Sequence, residues 1–360
     1  MTRKKILFLG ETYRADAQTW MNGLREFGDF DLVSWELNTP SNGGFNRFFR
    51  LIEYVFSWMR LRHFIQKEQP DMVIAERTTS YGFLAAICGI RPVVIAQQGI
   101  TDLWPSSSIL LPIKKCIQHY AFKKADLIHA WGPIMAESMT KAGVDSSKIL
   151  VLPKGINTET FKASTEIIQS KIKAIVTRSL EPEYGHPIIL NAFYQLKKNG
   201  IEFELTIVGD GLEKKRLQKM CNQLKLNKEV HFTGRIPNTQ LPELLAQHNY
   251  YISMPETEGV SASLFEAMAS GCYPIVSDLP GNRWWISNQK NGLLVSHQDI
   301  EALCNALQWA YENPELRQKA ILHNREFVIN HADYHTNMNI IAAHYHNLLT
   351  HHKTQINVRN

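Results

Sequence analysis

Two glutamates, Glu258 and Glu266, have seven residues between them, with Gly259 after the first and Ser261-Ala262-Ser263 following. The segment reads as a loop running into a helix. The first N–H groups of a helix have no partner within it, so a start near Ser261 to Ser263 offers a seat for a phosphate. One carboxylate just before that seat and another a turn inside it can accept hydrogen bonds from hydroxyls at both ends of a diphosphate: a sugar on one side, a ribose on the other. The same residues also allow a reading without a ligand. Ser263-x-x-Glu266 has the spacing of a capping box, and Glu258-Gly259 that of an ordinary turn. Both readings stay open on these residues alone.

The elements that must hold this segment follow from the apolar pattern. Short β-branched runs alternate with helical stretches, at Lys5–Leu9, Asp31–Trp35, Asp71–Glu76, Val93–Gln97, Asp126–Ala130 and Ile149–Pro153 in the first half. The second half repeats the scheme at Ala174–Thr177, Glu204–Val208, Val230–Thr233, Tyr250–Ser253, Pro274–Val276 and Leu293–Val295. Uninterrupted apolar strands joined by helices imply parallel sheets covered on both faces. Ligands of open α/β sheets gather at the carboxyl ends of the strands. That rule sets Arg178, Gly209-Asp210-Gly211, Gly234-Arg235 and Pro255 to Glu258 on one rim. The seam between the halves is expected in the polar stretch 154–170.

At 44% hydrophobic and 20% charged, the chain is too apolar for disorder, and its 360 residues suffice for two domains. A net charge of +5 suits an acidic ligand or an anionic membrane surface. No nucleic-acid partner is expected. Five widely spaced cysteines without a CxxC pair read as free thiols in a reducing compartment. The first apolar run is too short for a signal peptide, and no stretch reaches the ~18 apolar residues of a spanning helix. The expected location is therefore cytoplasmic.

Taken together, Pro255–Pro274 resembles the EX7E signature of glycosyltransferase family 4 and its GT-B relatives. The likeness runs on through Glu266-Ala-Met-Ala-Ser-Gly-Cys-Tyr-Pro-Ile-Val276, Pro280-Gly281-Asn282-Arg283 and Asn291-Gly292-Leu293-Leu294-Val295. Val208-Gly-Asp-Gly211, Val230-His-Phe-Thr-Gly-Arg235, Ala125-Asp-Leu-Ile128 and the stretch Lys148–Phe161 resemble further landmarks of the family, in order. The resemblance covers most of residues 120–312 and weakens in the first 110.

It implies a GT-B fold: two Rossmann-like, doubly wound parallel-sheet α/β domains facing a central cleft. Residues 1–160 would bind the acceptor, residues 171–312 the nucleotide sugar, and helices in 313–352 would pack back towards the first domain. By the same resemblance, Glu258 would face the donor sugar hydroxyls and Glu266 would bind the ribose diol. Arg178 would neutralise the diphosphate beside Gly209, Gly211 and the Ser261, Ala262 and Ser263 turn. The backbone at Arg235 and Ile236 would receive the base. A guanidinium and helix N–H groups can stabilise leaving-group charge, so no metal or other cofactor is expected. The implied reaction is retaining transfer of a sugar from a nucleoside-diphosphate sugar to a hydroxyl of a sugar or lipid-linked sugar, in polysaccharide or glycolipid synthesis. A sugar-nucleotide epimerase and a catalytically silent binding protein of the same fold are the alternatives. One departure stands out: Tyr184 occupies the position where many family members carry a lysine, so the second phosphate cation is missing there or comes from elsewhere.

The first half offers fewer signals. Tyr13, Arg14 and Asp16 follow the first strand and can face the acceptor or simply form a loop and helix cap. Gly99 and Asp102 lie after the fourth strand in a turn resembling the family's Gly-x-Asp, with one extra residue. Asp102 is the candidate carboxylate near the reacting centre, or else caps the turn before Pro105. In Phe45–Ile65, the residues Phe48, Ile52, Val55 and Met59 share a helical face, expected as the core face. Trp58 and Leu61 lie outside its centre, near Arg47, Arg50, Arg60 and Arg62. Rings beside arginines also suit a helix lying on an anionic membrane, which would make the protein peripheral on the inner face. His331 and His335 have the i, i+4 spacing of a metal pair on a helix but no clear third ligand, and no metal site is assigned.

Overall fold

The computed structural model describes residues 3–39, 44–97, 111–163 and 171–357. The chain divides into two units, Met1–Lys154 with His335–Asn360, and Gly155–Tyr334.

The first unit runs β1 (Lys5–Leu9), α1 (Ala15–Gly28), β2 (Asp31–Trp35), α2 (Gly44–Glu68), β3 (Met72–Glu76), α3 (Gly82–Ile87), β4 (Val93–Gln97), α4 (Leu111–Lys124), β5 (Leu127–Ala130), α5 (Pro133–Lys141) and β6 (Ile149–Val151). The six strands form one parallel sheet in the order β2-β1-β3-β4-β5-β6. Central strands β3, β4 and β5 are buried along their whole length, whereas the edge strands β2 and β6 are partly exposed. This is the burial that continuous apolar runs require. Trp20 of α1 anchors the core, edge-on to Phe8 at 5.5 Å and to Trp131 at 5.2 Å.

The second unit runs β7 (Ile172–Thr177), α6 (His186–Lys198), β8 (Phe203–Val208), α7 (Lys214–Gln223), β9 (Val230–Gly234), α8 (Leu241–Ala246), β10 (Tyr250–Ser253), α9 (Ala262–Ala269), β11 (Tyr273–Ser277), α10 (Pro280–Arg283), β12 (Leu293–Val295), α11 (Ile300–Glu312) and α12 (Pro314–Ala332). Its parallel sheet is ordered β12-β11-β10-β7-β8-β9. Apolar clusters cover the sheet, one including Phe193, Leu205 and Tyr250, the other Tyr251, Phe265 and Trp285.

All twelve expected strands are present within a residue or two. The segment 313–352 divides at Asp333, an extended residue: α12 stays with the second unit, and α13 (Tyr334–Asn357) belongs to the first. In the first unit α13 buries Met338, Ile341, Ala342, Tyr345 and Leu349, and its His346 stacks on Phe30 at 4.3 Å. His331 and His335 therefore sit on different helices. His331 Nδ1 lies 2.9 Å from the Phe327 carbonyl, and His335 packs against Phe27. Among the described residues no group of three or more metal-ligating side chains is gathered, and no helix is long and apolar enough to cross a membrane.

Helix α2 departs from expectation. Phe48, Val55 and Met59 are 62%, 65% and 65% exposed, and Ile52, Phe49, Leu51 and Phe56 are exposed as well. The apolar face expected in the core is turned outward, and the inward positions are Ser57 and Leu61. The arginines do not act as one basic set either. Arg50 turns inward to the Thr39 carbonyl and to Glu11. Arg60 pairs with Glu53 at 2.6 Å and lies over Trp35, while Arg62 is exposed. The side chain of Arg47 lies outside the described residues.

Candidate functional site

Arg178 is the first residue beyond β7, and Ser253 is the last of β10. These neighbouring strands flank the point where the second sheet changes its direction of growth, the place where open α/β sheets bind ligands. The guanidinium donates from Nε to Ser253 Oγ at 3.1 Å and from Nη2 to Ser261 Oγ at 2.6 Å, and it forms a short ion pair with Glu258. Both partners of that pair are largely buried. Its Cζ lies 5.5 Å from the centre of the Tyr184 ring. The residue standing where a second cation was expected thus offers its π-face to the first.

Ser261 is the N-cap of α9 and accepts from Leu264 N at 3.2 Å. That removes the capping box: the cap is two residues earlier than Ser263, so Glu266 is not placed to complete it. Ser263 instead exchanges hydrogen bonds with Ser261 at 3.1 Å and with the Tyr251 hydroxyl at 3.0 Å. Ala262 opens the helix and is exposed. Burial pushes the Glu266 carboxyl up to about 7, with Arg178 pulling the other way. A half-buried acid whose pKa lies near neutrality and that has no capping task suits a ligand-facing role.

Three close backbone approaches fix this rim. Gly281 of α10 abuts the loop carrying Glu258: a Cβ there would stand 2.3 Å from the Glu258 carbonyl. Gly209, at φ +144°, presses on the Arg178 carbonyl, which a Cβ would meet at 2.3 Å, and Gly211 presses likewise on Leu180. These two glycines let the loops after β7 and β8 touch. Arg235 follows β9 and is exposed, and Ile236 packs on the adjoining apolar cluster.

One residue had no sequence signal. His186 opens α6 just after Tyr184 and Gly185, and it is buried with neither ring nitrogen hydrogen-bonded among the described residues. Burial, and secondarily Arg178, push its pKa down to about 4, so it is neutral near pH 7. Histidine at the start of a helix is too common for its type alone to have marked it.

In the first unit, Tyr13 is exposed, while Arg14 and Asp16 belong to an ion network beyond β1 and β3. Glu11 lies at its centre, 2% exposed. Its carboxylate receives Arg50 at 2.8 Å, Arg77 at 2.8 Å and Arg14 at 3.4 Å. Burial alone would raise the Glu11 pKa, but the charges of Arg77 and Arg50 hold it below the usual carboxylate value. Lys154 donates to the Asp16 carbonyl at 2.9 Å and lies over Trp131. Gly99 and Asp102 lie outside the described residues.

The Glycosyltransferase Family 4 pattern matches residues 26–160, and that of the Glycosyl transferases group 1 matches residues 157–327. The colanic acid biosynthesis protein WcaL of Escherichia coli (strain K12) is 26% identical over 54% of this chain and 51% of its own length. The chain thus spans about half of that relative. The UDP-Gal:alpha-D-GlcNAc-diphosphoundecaprenol alpha-1,3-galactosyltransferase of Escherichia coli is 24% identical over 71% of this chain and 70% of its own. Among solved structures, Anabaena Alr3699/HepE in complex with UDP superposes with a TM-score of 0.77 at 18% identity, covering 95% of this chain and 99% of that one. The two family matches adjoin where the two units meet in sequence and run together from residue 26 to residue 327, over two six-stranded parallel sheets with flanking helices. The chain belongs to the glycosyltransferases, in a two-domain GT-B architecture of the family 4 type.

Proposed function

We propose that the protein is a retaining glycosyltransferase that moves a sugar from a nucleoside-diphosphate sugar to a hydroxyl of a sugar or lipid-linked sugar acceptor. The observation that carries this reading is the convergence of Arg178, Glu258 and Ser261 at the β7/β10 crevice, beside the start of α9. Here Arg178 takes the diphosphate, Glu258 the sugar hydroxyls and Glu266 the ribose diol, while the backbone at Arg235 and Ile236 receives the base. The bond from the anomeric carbon to the phosphate oxygen breaks, and the acceptor oxygen bonds to that carbon on the same face. The acceptor proton passes to the departing phosphate. Charge growing on that phosphate meets Arg178 and the first N–H groups of α9, with no need of a protein-bound metal.

The acceptor is assigned to the first unit, near Tyr13, Arg14 and Asp16. Similarity to a transferase whose name includes a diphosphoundecaprenol acceptor, and to WcaL, supports a place in polysaccharide or glycolipid synthesis. A cytoplasmic enzyme peripheral to the inner face of the membrane fits the exposed apolar face of α2.

A thermal-shift screen with UDP, GDP, ADP and CDP, followed by release of nucleotide from the corresponding sugars, tests the reading. One diphosphate should stabilise the fold, by about 2.7 kcal/mol at a hundred times its dissociation constant. Its sugar conjugate should release nucleotide. Stabilisation without release would favour a silent binding protein, and no stabilisation by any of the four would remove the donor site.

A further inference from the structure

The first sheet has its own change of direction. After β1 the chain adds β2 on one side and then crosses to add β3 on the other, so the crevice beyond β1 and β3 is the sheet's switch point. The Glu11 network fills it. Glu11 follows β1, and Arg77 follows Glu76, the last residue of β3.

Three features there exceed what packing alone needs. First, one buried carboxylate is met by three guanidinium groups, where one would form the pair. The Arg14 and Arg77 side chains remain 42% and 26% exposed. Second, Arg77 holds φ +62°, a conformation that costs an L-residue about 1–2 kcal/mol and that glycine adopts freely. Such strain persists where the side chain is wanted, and it gathers at ligand sites. Arg77 also begins a five-residue π-helical turn, Arg77–Tyr81, a form frequent at functional sites. Third, Nη2 of Arg77 is its one nitrogen with a hydrogen-bonded partner among the described residues, which leaves most of a planar fork open. That geometry matches two oxygens of a phosphate. The nearby Glu76 carboxyl is only partly ionised near pH 7, because burial, reinforced by Asp16, pushes its pKa up to about 7.

We propose that the β1/β3 crevice binds a phosphate or diphosphate group of the acceptor, with Arg77 and Arg14 as its ligands and Glu11 and Arg50 positioning them. This rests on the reading above that the first unit holds the acceptor. Arg50 comes from α2, the helix whose apolar face is exposed, so a diphosphate joined to a lipid would have its tail beside that face.

The test is calorimetric titration of the full chain, saturated with UDP, using inorganic pyrophosphate and, separately, farnesyl diphosphate. Arg77→Gly is the informative variant, because glycine suits the left-handed backbone while the cation is lost. Pyrophosphate should bind the wild type and bind Arg77→Gly at least about tenfold more weakly, with UDP affinity unchanged and thermal unfolding preserved. Arg77→Lys, which keeps the charge, should recover part of the binding. Arg14→Gln, at the more exposed position, serves if Arg77→Gly does not fold. Tighter binding of farnesyl diphosphate than of pyrophosphate supports a lipid-linked source, and equal binding supports a soluble phosphate. Failure of both to bind the UDP-loaded wild type overturns the proposal, as does equal binding by the variants. If none of UDP, GDP, ADP and CDP binds, the donor reading fails instead, and the comparison of wild type with Arg77→Gly still decides this one.

Discussion

Both sheets place a buried carboxylate and guanidinium groups at the strand ends where their direction of growth reverses, yet the two clusters are balanced differently. In the second unit one arginine faces one glutamate, and Ser253 and Ser261 complete its hydrogen bonds. Hydroxyls rotate at little cost, so Arg178 can exchange partners when an anion arrives. In the first unit three arginines share Glu11, with Asp16 beside Arg14, and Arg77 keeps most of its fork open without any ligand. On the proposed readings, these are two routes to an anion site: a neutral pair that opens, and a partly open fork that waits.

Three variants probe how far the two units act independently. Arg178→Ala should have the largest effect. It should lower nucleotide release from the preferred nucleotide sugar by about a hundredfold or more, the range for losing one preorganised donor aimed at developing charge. A loss below about tenfold, or ~1.4 kcal/mol, would remove Arg178 as the leaving-group anchor. Next comes the double variant Val55→Glu with Met59→Glu on α2. Full burial of either apolar side chain stabilises by about 1.5–3 kcal/mol. Wild-type protein should co-sediment with phosphatidylglycerol-containing vesicles, and the variant should stay largely in the supernatant while UDP affinity is unaltered. Wild-type protein that fails to sediment even at low salt would discard the membrane contact.

The smallest effect concerns pH. The Glu266 carboxyl, raised to about 7 by burial, is mostly protonated at pH 6 and mostly ionised at pH 8. Its ionised form is the better acceptor for a ribose diol, so UDP affinity should rise a few-fold over that interval. UDP's terminal phosphate also titrates near 6, so Glu266→Gln supplies the reference. Parallel pH profiles in wild type and variant would mean that Glu266 does not touch the nucleotide.

The legible parts of the sequence were those written contiguously. Strands such as Val93–Gln97 are unbroken apolar runs, and their burial on both faces follows directly. Glu258, Ser261 and Glu266 share one short segment, so they could be read as a unit, and Arg178, 80 residues away, was reached only through the strand-end rule and the family likeness. The first-unit cluster had no such signal. Glu11 meets Arg50 from 39 residues away and Arg77 from 66, separations at which no local pattern survives. Helix α2 was misread for another reason. Periodicity shows that Phe48, Ile52, Val55 and Met59 share a face but not which way that face points, and burial was assumed where the structure exposes them. The cap at Ser261 rather than Ser263 was a matter of two residues, inside the usual uncertainty of helix ends.

The break at Asp333 has a consequence for biosynthesis. Helix α13 buries Met338 against Gly23 of α1, so the first unit contains residues from both ends of the sequence. The second unit is continuous, from Gly155 to Tyr334. As the chain emerges from the ribosome, the part made first must therefore wait, with the α13-facing side of α1 bare, until the whole middle has been translated. Domains usually complete in the order of synthesis. In this chain the middle is the first portion whose contacts can all be made, and the opening segment is the last to close.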